Sequence, residues 1–487
     1  MIDKSKSIKA NAIINSVRTI LNLVFPLITF PYISRVLTVD EIGKYNFSNS
    51  IVSYFLLIAA LGIDKYAIRE GAKFRDDKNK MGDFASEVFS VNMVATVVSY
   101  ALLFVYLFFS HKAHSYTACI LIFSLQIFFT TLGTEWLYSI YEEYTYITVR
   151  SIAFKIISIA LLFSFVRKPG DYLNYAAITV FATVGSNVLN FINARKICSV
   201  RIKFHFDLKK ILVPVLVIFA SNVAIQIYVN SDTTMLGYLK DDYTVGIYSV
   251  STKIYTMVKT VLAAALTVAI PRLSMYAGKK MEKEYDALML KLTNSLFFLT
   301  IPAMVGLIAL SREVVLIIAG EKYISSQNSL VILTIAIIFS IFSSLFNQCV
   351  LLPYHREMKS LLSSVISAAE NIGLNFILIP LLAENGAAIT TVLAELTMAV
   401  MNYWNSRDIT KKIFANKTTI KNLVSIGLGS AGIAVTCYFI DIYIPNMFIK
   451  VIVSVVLSAI AYAVILLLFK NPFMKEAMLK VKNRVQR

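Results

Sequence analysis

The chain has 487 residues, of which 57% are apolar and 16% charged, and its mean hydropathy is +0.69. So little polar surface excludes an ordinary water-soluble globular domain and a disordered chain. A formal net charge of +18 raises the question of nucleic acid, which the placement of the basic residues answers in the negative.

Fourteen apolar stretches follow one another, at roughly 10–36, 45–64, 84–109, 116–134, 149–166, 172–194, 211–236, 244–271, 288–311, 326–353, 359–383, 385–404, 420–440 and 447–469. Most are long enough to cross about 30 Å of hydrocarbon at about 1.5 Å per residue, whereas barrel strands run to about ten residues and alternate strictly. The expected fold class is an all-α integral membrane protein with about 14 transmembrane helices.

Of the 47 Lys and Arg residues, 33 lie in or at the very edge of alternate inter-span segments that include both termini, with Arg150 counted among them, and 7 (Lys44, Lys112, Arg167, Lys168, Lys240, Arg312, Lys322) lie in the others. Cytoplasmic loops collect Lys and Arg, so this split expects both termini inside. The basic surplus is then topological, with some contact to anionic headgroups, and no nucleic-acid partner is expected. The basic start of the chain lacks a small-residue cleavage site after a short apolar core, so the first span is expected to remain. Cys119, Cys198, Cys349 and Cys437 and the four histidines show no metal-like spacing, and no cofactor or metal is expected. Gly427-Leu428-Gly429-Ser430-Ala431-Gly432 matches a dinucleotide fingerprint by letter, but it lies within an apolar span and follows no strand, which reads as a helix-packing surface.

Two short sequences recur about 200 residues apart. Ile42-Gly43-Lys44-Tyr45 opens the second span and Val245-Gly246-Ile247-Tyr248 the eighth; Ala176-Ala177-Ile178-Thr179 recurs as Ala387-Ala388-Ile389-Thr390 in the twelfth. Each pair joins a span to the one six later, as a duplication of six helices requires. Six is even, so the halves share one orientation, giving a parallel pseudo-twofold repeat. The expected division is a six-helix lobe at 1–200, a second at 201–410, and two further helices with a basic tail at 411–487.

Several spans carry polar stripes. At about 100° per residue, Asn11, Asn15, Arg18, Asn22 and Thr29 share a narrow arc of the first span. The second has Asn46, Asn49, Ser50, Ser53 and, at its far end, Asp64; the seventh has Asn222, Gln226, Asn230 and Thr233; the eighth has Ser249, Thr252, Lys253, Thr256, Lys259 and Thr260. These are the first two spans of each half. Two readings stand: interhelical hydrogen bonds that hold a bundle together, or the lining of a central cleft between lobes, basic in its middle and suited to an anion. Charges at membrane depth cost enough to need a partner or water. Arg35, Lys155, Lys291 and Lys450 lie near helix ends and are expected to snorkel to headgroups, whereas Lys253 and Lys259 lie deeper and favour a cavity. The carboxylates Asp64, Asp232, Glu370 and Glu395 either couple protons or cations, or pair with a neighbouring base. Short outer loops and the absence of a phosphate-binding loop or catalytic spacing favour transport over an enzyme.

The run Phe25-Pro26-Leu27-Ile28-Thr29-Phe30-Pro31-Tyr32-Ile33-Ser34-Arg35-Val36-Leu37, continuing through Ile42-Gly43-Lys44-Tyr45-Asn46-Phe47, resembles the opening of bacterial polysaccharide and O-antigen flippases. Tyr66-Ala67-Ile68-Arg69-Glu70-Gly71 and Gly133-Thr134-Glu135-Trp136-Leu137-Tyr138 resemble the same family, which belongs to the multidrug, oligosaccharidyl-lipid and polysaccharide exporter superfamily. The resemblance implies a MATE-like arrangement of two six-helix lobes plus two C-terminal helices in the bacterial inner membrane. It further implies alternating access that carries an undecaprenyl-pyrophosphate-linked oligosaccharide from the inner to the outer leaflet for capsule, O-antigen or exopolysaccharide. Its partners would be that lipid-linked oligosaccharide, the lipid bilayer, and the polymerase and chain-length machinery of glycan assembly. By their depth and periodicity, and not by a family motif, Arg18, Lys253 and Lys259 are expected to hold that pyrophosphate, with Arg35 near the outer gate. The Asn, Gln, Ser and Thr stripes are assigned to sugar hydroxyls. A drug/cation antiporter of the same superfamily and a peptidoglycan-precursor flippase are the alternatives; a membrane glycosyltransferase would need a larger outer loop.

Overall fold

The structure, a computed structural model, describes residues 25–203 and 208–474. Among them all regular structure is helical, and eleven helices are long and apolar enough to cross a membrane. One of these, Glu357–Phe414, breaks at Ala383 (φ 51°, ψ −127°) into two arms, matching the eleventh and twelfth expected spans. The seventh expected span lies within a further helix, Leu208–Leu239. Most of the first lies outside the described residues. By contacts the chain divides into two compact units, Met1–Ser249 and Val250–Arg487.

In the first unit, α1 covers 25–36 and α2 spans Val39–Ala60. Helix α2 begins at a capping box: the Glu41 amide donates to Thr38 Oγ1 at 3.3 Å, and the Thr38 amide donates to the Glu41 carboxylate at 2.8 Å. Two amides that a helix start leaves without intrahelical partners are thereby satisfied. Leu61 (φ 47°) and Gly62 (φ 76°) take left-handed backbone, after which the chain resumes as α3 (Ile63–Gly71), beyond the end expected for the second span. The unit continues through α4 (Lys78–Phe109), the single turn α5 (His111–His114), α6 (Thr117–Gly133), the short α7 (Glu135–Ile140), α8 (Tyr144–Phe165), α9 (Tyr172–Val184), α10 (Asn187–Ile197) and α11 (Leu208–Leu239).

Helix α2 is central: α4, α6, α9 and α11 all pack on it. Tyr45 stacks on Tyr175 with ring centres 4.3 Å apart and meets Phe123 edge-on at 5.1 Å. The start of α2 also meets the start of α12 (Asp242–Gly278) at two glycines. A Cβ on Gly43 would lie 1.8 Å from the Asp242 carbonyl oxygen, and one on Gly246 2.2 Å from that of Val39. These are the glycines of the repeated Ile42–Tyr45 and Val245–Tyr248 sequences, so the repeat marks a backbone-to-backbone approach that no side chain permits. Just before α12, the Thr244 hydroxyl and amide donate to Asp241 Oδ1 at 2.7 and 2.8 Å and hold that carboxyl below its ordinary range.

The second unit holds the remainder of α12, then α13 (Glu282–Ala309), α14 (Ser311–Ile318), α15 (Ser326–Phe346), α16 (Glu357–Phe414), α17 (Lys417–Tyr443) and α18 (Met447–Leu468). Helix α15 packs along α16 and α13, and α17 along α13 and α18. Phe297, Phe342, Phe346, Tyr403 and Phe414 form an aromatic cluster joining α13, α15 and α16.

The last two helices, outside the repeat, are tied to α13 by buried amides. Asn422 Nδ2 donates to Asn294 Oδ1 at 2.8 Å, Asn294 Nδ2 to Thr419 Oγ1 at 3.0 Å, and Asn471 Nδ2 to Asn422 Oδ1 at 2.6 Å. At the other end of α18, Lys450 Nζ reaches Glu313 at 3.3 Å and also Asp441. The glycine-rich run of α17 packs against α18: a Cβ on Gly429 would lie 2.7 Å from the Tyr462 ring and one on Gly432 2.4 Å from Ile465 Cδ1. Its resemblance to a dinucleotide fingerprint is therefore one of letters only.

Candidate functional site

Asn11, Asn15, Arg18 and Asn22 lie outside the described residues. Thr29 is buried and donates to the Phe25 carbonyl at 3.0 Å. Arg35 is exposed at the end of α1, and its guanidinium donates to the Pro31 carbonyl at 2.6 Å.

In the first unit the polar stripe of α2, half-buried at Asn46, Asn49 and Ser53 and buried at Ser50, bonds largely to its own helix. Asn46 Nδ2 donates to the Ile42 carbonyl and Ser53 Oγ to that of Asn49, each at 2.8 Å. Such bonds to the preceding turn satisfy a polar side chain on an apolar helix without a second chain segment. Between α2 and α11 runs a short relay, with Tyr54 Oη 3.2 Å from Thr234 Oγ1 and Thr234 Oγ1 donating to Ser50 Oγ at 3.1 Å. Asn230 Nδ2 donates to the Gln226 carbonyl at 3.2 Å, and Asn222 Oδ1 accepts from Lys65 Nζ at 3.3 Å. Asp232 is buried and accepts from the Tyr248 hydroxyl at 2.7 Å, whereas Asp64, at the first turn of α3, is exposed. Ser249 is buried and donates to the Gly246 carbonyl at 2.7 Å.

The second unit gathers the charged groups of α12. Lys259, at the middle of this 37-residue helix, places Nζ 3.1 Å from Glu395 Oε1 on the second arm of α16. Tyr255, one turn earlier, donates its hydroxyl to the same carboxylate oxygen at 3.1 Å, and Lys259 Nζ lies 3.4 Å from Tyr255 Oη. The Glu395 side chain is 4% exposed and that of Lys259 31%. A cation and an anion assigned to different tasks on sequence grounds thus form one centre, in which a carboxylate is fully enclosed and its cation remains open on one side. Lys253 and Thr252 are half-buried on α12, and Thr256 is exposed. Lys253 and Lys259 are six residues apart, which at about 100° per residue turns them roughly 120° from each other, so they face different directions. Glu370 is half-buried on the first arm of α16.

Three pairings escape the reading of the sequence. Arg150, counted with a loop, is 7% exposed, with a guanidinium nitrogen 3.5 Å from Glu135 Oε1. The signal was present in Gly133–Tyr138, where a glutamate follows Gly133 and Thr134 at the break between α6 and α7. Tyr255 gave no signal, since a lone tyrosine on an apolar helix is ordinary. Arg356 and Asp408 form a two-pronged pair at 2.8 and 2.7 Å across the ends of α16, which depends on the fold-back at Ala383; just past it, a Cβ on Gly386 would lie 2.2 Å from the Leu378 carbonyl oxygen of the other arm.

Among solved structures, the chain is similar to "Lipid II flippase MurJ, inward closed conformation", at 16% identity with a TM-score of 0.73, covering 96% of this chain and 99% of that one. It is also similar to an inward-facing multidrug resistance MATE family transporter of the MOP superfamily, at 14% identity and a TM-score of 0.59, covering 82% and 96%. Both likenesses are of fold. Among curated proteins it is 24% identical over 275 residues to a "Putative O-antigen transporter" of Escherichia coli (strain K12), a match spanning 55% of this chain and 65% of that protein. A protein of the same description from Shigella dysenteriae is 22% identical over 345 residues, 69% of this chain and 84% of that one. The family model described as "Polysaccharide biosynthesis protein" matches residues 8–277, more than half of the chain, which therefore belongs to this family of multi-pass helical membrane proteins.

Proposed function

We propose that the protein is a flippase that moves an undecaprenyl-pyrophosphate-linked oligosaccharide from the inner to the outer leaflet of the bacterial inner membrane, in the assembly of a surface glycan. The observation that carries the reading is the Lys259–Glu395–Tyr255 centre, a cation held in the middle of a membrane helix by a single enclosed carboxylate. A pyrophosphate brings more negative charge than one carboxylate, so it competes with Glu395 for Lys259 where low dielectric strengthens the attraction. Arg18, Lys253 and Arg35 then contact the pyrophosphate at other stages of its passage, and the Asn, Gln, Ser and Thr stripes contact sugar hydroxyls. Release of Glu395, with Asp64, Asp232 and Glu370 as further carboxylates, offers a route for ion coupling. Family membership and the relatives named for O-antigen transport support the substrate class. The fourteen spans, the lobes at 1–200 and 201–410, the two added helices at 411–487 and the cytoplasmic termini belong to the same reading.

The test is outer-leaflet exposure of undecaprenyl-linked glycan to an impermeant lectin, in cells lacking the protein and then supplied with it. Restored exposure that is lost in Lys259→Met and in Arg18→Ala/Lys253→Ala, at normal protein abundance, is the expected result. Unchanged exposure together with dye efflux would replace this reading by the antiporter.

A further inference from the structure

The two arms of α16 bring a basic pocket together at the end remote from their break. Lys359 lies 24 residues before Ala383 and Arg407 24 residues after it, so antiparallel arms place them side by side. At about 1.5 Å per residue that level is about 36 Å from the break, which exceeds the roughly 30 Å of hydrocarbon and reaches the headgroups. The pocket there has a volume of about 440 Å³ and is lined by Arg356, Lys359, Trp404, Asn405, Arg407 and Asp408.

Its charges are not equivalent. Arg356 is committed, with both guanidinium nitrogens on Asp408 and a further bond to the Asn405 carbonyl at 2.9 Å. This pair cancels the one acid of the pocket and fixes its wall. Among the described residues neither Lys359 nor Arg407 enters an ion pair; the Arg407 guanidinium instead lies 4.2 Å over the Trp404 ring. Stacking restrains Arg407 while leaving its in-plane N–H groups free to donate to an oxyanion. Two uncommitted cations therefore face the same space.

The neighbouring surface indicates the kind of anion. Trp404 is 62% exposed, and Val400 one turn deeper is 53% exposed; on the other arm Met358 and Leu362 are 75% and 55% exposed. An exposed apolar strip thus runs from the membrane directly up to the basic pocket, with a tryptophan at the level where amphipathic rings settle. We infer that this pocket binds the headgroup phosphate of an anionic phospholipid, its acyl chains lying on the Val400 and Leu362 strip. Arg407 and Lys359 hold the phosphate oxygens, and Trp404 covers the glycerol level. A soluble phosphate would use the same two cations but not the apolar strip.

The experiment uses the full-length protein in detergent with phosphatidylglycerol and phosphatidylethanolamine added in defined ratio, and counts retained lipids by native mass spectrometry. Selective retention of one phosphatidylglycerol is expected, weakened about fivefold for each charge removed and so about twenty- to thirtyfold in Lys359→Gln/Arg407→Gln. The control Lys417→Gln/Lys421→Gln, which removes two exposed lysines at the start of α17, retains it. Equal retention by the wild type and the pocket variant, or equal loss in the control, would overturn the site. Saturable binding of inorganic pyrophosphate without selectivity between the two lipids would overturn the lipid in favour of a soluble phosphate.

Discussion

Lys259 and Glu395 give the most direct quantitative test of the membrane-buried centre. At a separation of 3.1 Å, two unit charges attract by about 5 kcal/mol at an effective dielectric of 20 and by about 1 kcal/mol at 80. The 31% exposure of Lys259 and the 4% exposure of Glu395 place the pair between these limits. Lys259→Met strands an enclosed carboxylate and is expected to cost about 3 kcal/mol, within the range for breaking a buried pair. Glu395→Gln leaves a lysine that still reaches water and the Tyr255 hydroxyl, so about 1–2 kcal/mol is expected. The double variant removes both charges and should lose only about 1 kcal/mol, a coupling of about 3 kcal/mol. Reversible unfolding in mixed micelles with increasing SDS measures all four proteins. If the single losses add to the double within about 0.5 kcal/mol, the two groups do not interact and the reasoning fails.

Replacing Gly43 by Val puts a branched side chain where a single Cβ already comes within 1.8 Å of the Asp242 carbonyl; a loss above about 3 kcal/mol is expected, read as collapse of the monodisperse peak in size-exclusion chromatography. Asn422→Ala removes donors and acceptors from the amide network that ties α17 to α13, and unfolding in mixed micelles should show a loss of about 0.6–1.7 kcal/mol, typical of buried polar contacts between membrane helices. Because its hydrogen bonds depress the folded pKa of Asp241, that residue stabilises the fold above its unfolded pKa of about 3.9, and the contribution is lost as pH falls through the folded value. Thermal melts from pH 6 down to pH 3 should therefore converge for the wild type and Asp241→Asn, and parallel curves would contradict the assignment.

The class of the protein and most of its spans could be read from the sequence because a bilayer demands long apolar helices and leaves few other solutions. The same demand makes Lys and Arg rare at depth, which is why Lys259 and Glu395 stood out as separate candidates. Their pairing was hidden because periodicity describes one helix at a time and says nothing of which helix it meets. Gly43 and Gly246 were visible as a repeat, but their meaning was not, since only the fold sets each against the other's neighbouring backbone. Arg150 was misplaced for a related reason: counting a basic residue between spans assigns it to water, whereas the bend at Thr134 brings Glu135 to it. In the α2 stripe Ser50 serves an interhelical relay, as one of the two sequence readings expects, whereas Asn46 and Ser53 bond within their own helix, which periodicity does not announce.

The break at Ala383 bears on how the protein enters the membrane during synthesis. Leu381 and Leu382 at this bend are 73% and 46% exposed, and the connector between the two arms is only Ala383-Glu384-Asn385-Gly386. A nascent chain with such a bend cannot stop after the first arm and leave a soluble loop on the far side; the two arms insert as one hairpin, apex first. The basic residues that orient them, Arg356 and Lys359 before and Arg407, Lys411 and Lys412 after, all stay at the trailing end, so a single charge decision fixes both crossings.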